Sequence, residues 1–193
     1  DNLVYVDDVL YQLSFSKGGV YISLYEDTTQ SIKIKKGAEV VTKAAHDMSA
    51  EVLIIEMGSN GGWDDYDELI SQYKAMIANS GTQCYIIIGD TDNPDEAIDS
   101  ENYNSSKEVG LNDTLWEAAL REAFGDHFIN MRTYLMQNAL DITGKEANET
   151  DIENLLDGRV PDSIKYDYTH LNGYGYYAYG AGVYEKGVEL GYW

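Results

Sequence analysis

The chain has 193 residues, 44% of them hydrophobic, which suits one domain with a sizeable core and not a disordered or fibrous protein. Its formal net charge of −21, from 34 acidic and 13 basic residues, repels phosphate backbones and anionic membrane surfaces and so argues against nucleic acid as a partner. No apolar run is long enough to cross a bilayer, and a single cysteine, Cys84, excludes an internal disulfide framework.

Residues 1–37 read as a β-rich segment, an insertion or part of an accessory sheet. Val4-Tyr5-Val6, Val9-Leu10-Tyr11, Val20-Tyr21-Ile22 and Ile32-Lys33-Ile34 are short β-branched and aromatic runs, separated by turn residues at Asp7-Asp8, Lys17-Gly18-Gly19 and Asp27-Thr28-Thr29. The rhythm changes at residue 38. Ala38 to Asp47 has helical spacing, Glu51 to Met57 is a strand ending at Gly58, and Asp64 to Asn79 is an amphipathic helix. Cys84 to Ile88 is a second strand, in which Cys84 reads as a small buried side chain. A polar loop follows from Asp90 to about Gly110. Leu115 to Phe124 is a helix with cap candidates Asn112-Asp113-Thr114, His127 to Asn130 a third strand, and Arg132 to Leu140 and Asp151 to Leu156 further helices. A loop from Gly158 to Asn172 leads into a last helix from about Gly173 to Leu190. Strands that alternate with helices imply crossover connections, and so a parallel sheet covered on both faces with ligands beyond the carboxyl ends of its strands.

Two features fall at such ends. Gly58-Ser59-Asn60-Gly61-Gly62-Trp63 joins a strand to a helix; it is a tight turn, or a place where backbone and the Asn60 amide meet a ligand. Asp167-Tyr168-Thr169-His170 lies in the loop before the last helix. Asp167 either caps that helix or folds back onto His170 Nδ1, which fixes the tautomer and leaves Nε2 to accept a proton. The acidic cluster Asp64-Asp65-Asp67-Glu68 is accounted for by the dipole of the helix it opens. His46 and His127 have no Cys or His at ligand spacing, and no Walker or dinucleotide glycine motif appears, so neither metal nor cofactor is expected. The run Tyr174, Tyr176, Tyr177 and Tyr179 reads mainly as packing, with one or two at the border of a cleft.

G-x-N after a parallel strand, followed by D-x-x-H before the C-terminal helix, resembles the third and fifth sequence blocks of the SGNH (GDSL-type) serine hydrolase superfamily. Phe124-Gly125-Asp126, Arg132-Thr133-Tyr134-Leu135 and His170-Leu171-Asn172 agree with it, and the resemblance covers about residues 38–193. It implies a three-layer α/β/α fold with a parallel flavodoxin-like sheet, of which 38–193 would be the C-terminal part. It also implies an acyl esterase in which His170 is the general base, Asp167 orients it, and Gly58 and Asn60 contribute to the oxyanion hole. A small ester or an acylated carbohydrate would be the substrate, in an extracellular or cell-surface setting.

The family's Gly-Asp-Ser block and its second-block glycine are not recognisable here. The start, Asp1-Asn2-Leu3, has no basic or apolar leader, so the expectation is a removed leader or a chain that begins inside a longer protein. On that reading the serine comes from a missing N-terminal segment or another chain, and a strand lost from the sheet leaves an open edge. Ser14, in Leu13-Ser14-Phe15-Ser16, is the candidate within the chain, although it lacks the preceding Gly-Asp and serves equally as an alternating strand residue. Thr91, in Gly89-Asp90-Thr91, mimics Gly-Asp-Ser but follows G-x-N, which would need a permuted fold. The other function class is a non-catalytic domain on the same fold that binds a glycan or a protein.

Overall fold

The computed structural model describes residues 2–26, 33–47, 51–91 and 106–193. The chain divides into two units, Asp1–Glu51 and Val52–Trp193.

In the first unit, β1 (Leu3–Val6), β2 (Val9–Ser16), β3 (Gly19–Leu24) and β4 (Val40–Thr42) form an antiparallel sheet in the order β3-β2-β1-β4. Asp7 and Asp8 turn the first hairpin at φ +48° and +63°, a left-handed pair whose twist suits the flanking strands. Val4, Val6 and Tyr11 are buried, with Val9, Leu13 and Ile22 packed around them. The helix expected over Ala38–Asp47 is confined to α1 (Lys43–Asp47). Val40, Val41 and Thr42 pair with β1 instead, because three β-branched residues fit a pleated surface better than a helix. That pairing carries the first unit to Glu51, past the 37–38 boundary expected from the sequence. Lys33 and Ile34 are in no strand, and Ile32 and the turn at Asp27-Thr28-Thr29 lie outside the described residues.

The second unit is built on β5 (Leu53–Ile55), β6 (Tyr85–Ile88) and β7 (Phe128–Ile129), parallel and in that order. The helices are α2 (Tyr66–Ser80), α3 (Ser106–Val109), α4 (Leu115–Phe124), α5 (Met131–Thr143), α6 (Glu149–Leu156) and α7 (Gly173–Glu189). Alternate strand residues enter two cores. Ile55 and Ile87 meet Leu69 and Tyr73 of α2 and Trp116 and Leu120 of α4. Ile86 and Ile88 meet Met131 and Leu135 of α5 and Ala178 of α7. The protein is thus mixed α/β, with helices, a small parallel sheet and a separate antiparallel sheet. Much of the polar loop after Asp90 lies outside the described residues.

Local signals set the helix ends. Asp65 caps α2 by accepting the Glu68 amide at 2.8 Å, and Glu68 accepts the Asp64 amide at 2.8 Å, so the acidic cluster is used in capping. Thr114 and Glu117 form a reciprocal capping box at α4. Glu117 has a second task. Arg132, almost wholly buried, donates from Nε and Nη2 to its two carboxylate oxygens at 2.7 Å each. The same guanidinium reaches the carbonyls of Gly110, Asn112 and Gly158, tying two loops to the start of α5. His127 stacks on Tyr85, and its Nδ1 lies 3.0 Å from the Tyr85 carbonyl and 2.9 Å from Tyr192 Oη, which anchors the C-terminus. His46 stacks on Tyr5 within the first unit. Cys84 is half-buried ahead of β6, where its carbonyl accepts the Leu53 amide.

Candidate active site

The loop after β5 is held from three sides. Tyr73 Oη donates to the Met57 carbonyl at 2.7 Å and accepts the Met57 amide at 3.1 Å. The Gly58 carbonyl accepts from the Gly61 amide and Trp63 Nε1, both at 2.9 Å. The Gly62 carbonyl accepts from Gln72 Nε2. Glycine is required at 58 for two reasons: φ is +115°, and a Cβ there would lie 2.7 Å from Trp116 Cζ2. Asn60 stands exposed at the tip of this braced turn.

The second part of the site comes from the loop before α7. Lys165 and Leu171 form an antiparallel bridge, and the Tyr166 amide donates to the His170 carbonyl at 2.8 Å, so the chain doubles back between them. Asn172 fastens the base of this turn. Its Nδ2 donates to the carbonyls of Ser163 and Lys165, and its Oδ1 caps α7 through the amides of Tyr174 and Gly175. Asp167 does not cap the helix. Its carboxylate folds onto His170, with Oδ2 2.9 Å and Oδ1 3.0 Å from Nδ1, while Oδ1 also accepts the amides of His170 (2.7 Å) and Thr169 (3.0 Å). The His170 amide, the His170 ring and the Thr169 amide pull the carboxyl well below the usual range, to about 2. An ionised Asp167 places the neutral ring's proton on Nδ1 and turns Nε2 into the acceptor.

These two loops meet in a cleft of about 510 Å³. Gly58, Ser59 and Asn60 line it beside Thr169 and His170, at the carboxyl ends of β5 and β6 where open α/β sheets bind ligands. Glu56 after β5 and Asp90 after β6, neither singled out in the sequence, also line it, with the buried Thr91 of the Gly-Asp-Thr run and with Tyr176 and Tyr179 from the tyrosine run of α7. Tyr179 Oη donates to Glu56 Oε2 at 2.7 Å, across 123 positions of sequence. Glu56 reaches solvent through the cleft but is crowded by protein. That crowding raises its pKa, the Tyr179 bond offsets the rise in part, and the negative charge of Asp90 adds to it. A charged residue closing the apolar run Val52-Leu53-Ile54-Ile55 was the one sequence signal for Glu56.

Ser14 is in β2 of the first unit and donates to the Tyr21 carbonyl at 3.4 Å; the described lining of the cleft comes from residues 56–179 of the second unit. Among the described residues no hydroxyl hydrogen-bonds His170 Nε2, and no group of three or more His, Cys, Asp or Glu side chains is placed to hold a metal ion. No helix among them is long and apolar enough to cross a membrane. Compared with family models, with curated proteins and with solved structures, the chain matches none.

Proposed function

We propose that this chain carries the acid–base and oxyanion parts of an ester hydrolase of the SGNH type, whose serine comes from outside these 193 residues. The observation that carries the reading is the Asp167–His170 pair, with Nδ1 held by an ionised carboxylate, facing the same cleft as Asn60. A serine Oγ at this cleft would attack the ester carbonyl while His170 Nε2 takes its proton. Asn60 and neighbouring amides would hold the oxyanion, and His170 would return the proton to the leaving alcohol as the acyl-enzyme forms. Water, activated by the same imidazole, would then release the acid.

The sheet supports a serine-bearing strand supplied from elsewhere. Among the described residues nothing pairs with the outer edge of β5, and Ile54, in an all-apolar strand, is 46% exposed. A further parallel strand with its helix would cover both. The second reading, a glycan- or protein-binding domain that has no nucleophile, is favoured by the absence of a hydroxyl on His170 Nε2 among the described residues. Fluorophosphonate labelling of the purified chain and of any longer natural form, followed by peptide mapping, separates the two. The hydrolase reading expects one modified serine, lost in His170→Ala. No adduct in either form leaves the binding domain.

A further inference from the structure

The acyl-transfer steps leave part of the cleft unused. Glu56 and Asp90 line it at the ends of adjacent parallel strands, and Asp90 lies near enough to act on the Glu56 charge. Tyr179 holds Glu56 in place from the last helix, so this carboxylate is a positioned acceptor and not a waving surface acid. Tyr176 lines the cleft as well and is 58% exposed, which leaves an aromatic surface uncovered beside His170. Among the described lining residues there is no lysine or arginine.

This combination sorts ligands by charge. Ionised carboxylates are acceptors only, so they suit hydroxyl and ammonium donors. A phosphate, sulfate or carboxylate brought to the same wall meets like charge there. An exposed tyrosine ring offers its face to the C–H surface of a flat, hydroxyl-bearing ring.

We propose that Glu56 and Asp90 make this cleft selective for sugar units that carry no negative charge, neutral or amine-bearing, seated against Tyr176. As a statement about ester substrates this rests on the hydrolase reading; as a statement about binding it does not, because binding needs no nucleophile.

The test is calorimetric titration of the full chain with three tetrasaccharides: N-acetylglucosamine (neutral), glucosamine (cationic) and galacturonate (anionic). The neutral and cationic ligands are expected to bind, the cationic one more tightly, and the anionic one at least tenfold more weakly than the neutral one. In Glu56→Gln/Asp90→Asn the three affinities should come within about threefold of each other. The Glu146→Gln/Glu153→Gln variant removes the same charge from residues outside the cleft and should keep the original order. Tyr176→Ala should weaken all three alike. Galacturonate binding as well as the neutral ligand, an order unchanged in the cleft variant, equal collapse in the control, or no saturable binding of any ligand would each overturn the proposal. No fluorophosphonate adduct in this chain or in a longer natural form, with this binding order intact, would remove the hydrolase reading alone.

Discussion

An Arg132→Met variant keeps most of the side-chain stem and removes the guanidinium hydrogen bonds to Glu117 and to the carbonyls of Gly110, Asn112 and Gly158. The Glu117 carboxylate then stays buried without its counter-charge, keeping one oxygen bonded to the Thr114 amide at 2.7 Å. Breaking one side of a buried pair costs about 3–5 kcal/mol. The carbonyls of Gly110 and Asn112 are only partly buried, so water replaces the lost donors there and adds little. A loss of about 4 kcal/mol is therefore expected, a large share of the roughly 5–15 kcal/mol that folded domains possess. With a denaturant slope of about 2 kcal/mol per molar, the urea midpoint falls by about 2 M. Tryptophan fluorescence reads the correct unit, because Trp63, Trp116 and Trp193 all lie within Val52–Trp193. Adding Glu117→Gln should restore at least about 1 kcal/mol by removing the stranded charge. A midpoint shift below about 0.5 M in the single variant would refute the account of Arg132 as a buried tie.

Gly58→Ala should cost about 3 kcal/mol through strain and contact with Trp116. Gly61→Ala should cost only about 1 kcal/mol, since φ is +75° but a methyl group meets nothing within 4 Å; equal losses would mean that Trp116 yields freely. Because the Asp167 pKa is depressed to about 2, its hold on the turn is complete above the ordinary carboxylate value and is lost as pH falls toward 2. Hydrogen exchange at Thr169 and His170 should therefore stay slow at pH 4 and accelerate only nearer 2, and acceleration centred at pH 4 would contradict the bonding seen. The Glu56 pKa is raised, so its ionised form opposes folding and the penalty grows as pH rises through that value. Glu56→Gln, which keeps an acceptor for Tyr179, should melt no lower than the parent at pH 7 and show no advantage at pH 4. A variant less stable at pH 7 than at pH 4, relative to the parent, would reverse the sign.

What the sequence determined by itself is what closes over a few residues. The Thr114–Glu117 capping box, the Asp167–His170 fold-back and the turn at Gly58 each join groups within three or four positions, near enough for the order of residues to offer them as candidates, although Asp167 read equally as a helix cap. The apolar runs at Leu53–Ile55 and Tyr85–Ile88 were equally legible, because an unbroken β-branched stretch is stable only when covered on both faces. The helical spacing of Ala38–Asp47 misled, since a ladder to β1 outweighed a local preference of a few tenths of a kcal/mol per residue. The tertiary structure alone decided that Glu117 meets Arg132, that Tyr179 reaches Glu56, and that Asn60 and His170 face one cleft. Those partners stand between 15 and 123 positions apart. Their meeting is set by which helix packs on which face of the sheet, and no pattern within a window of the sequence encodes that choice.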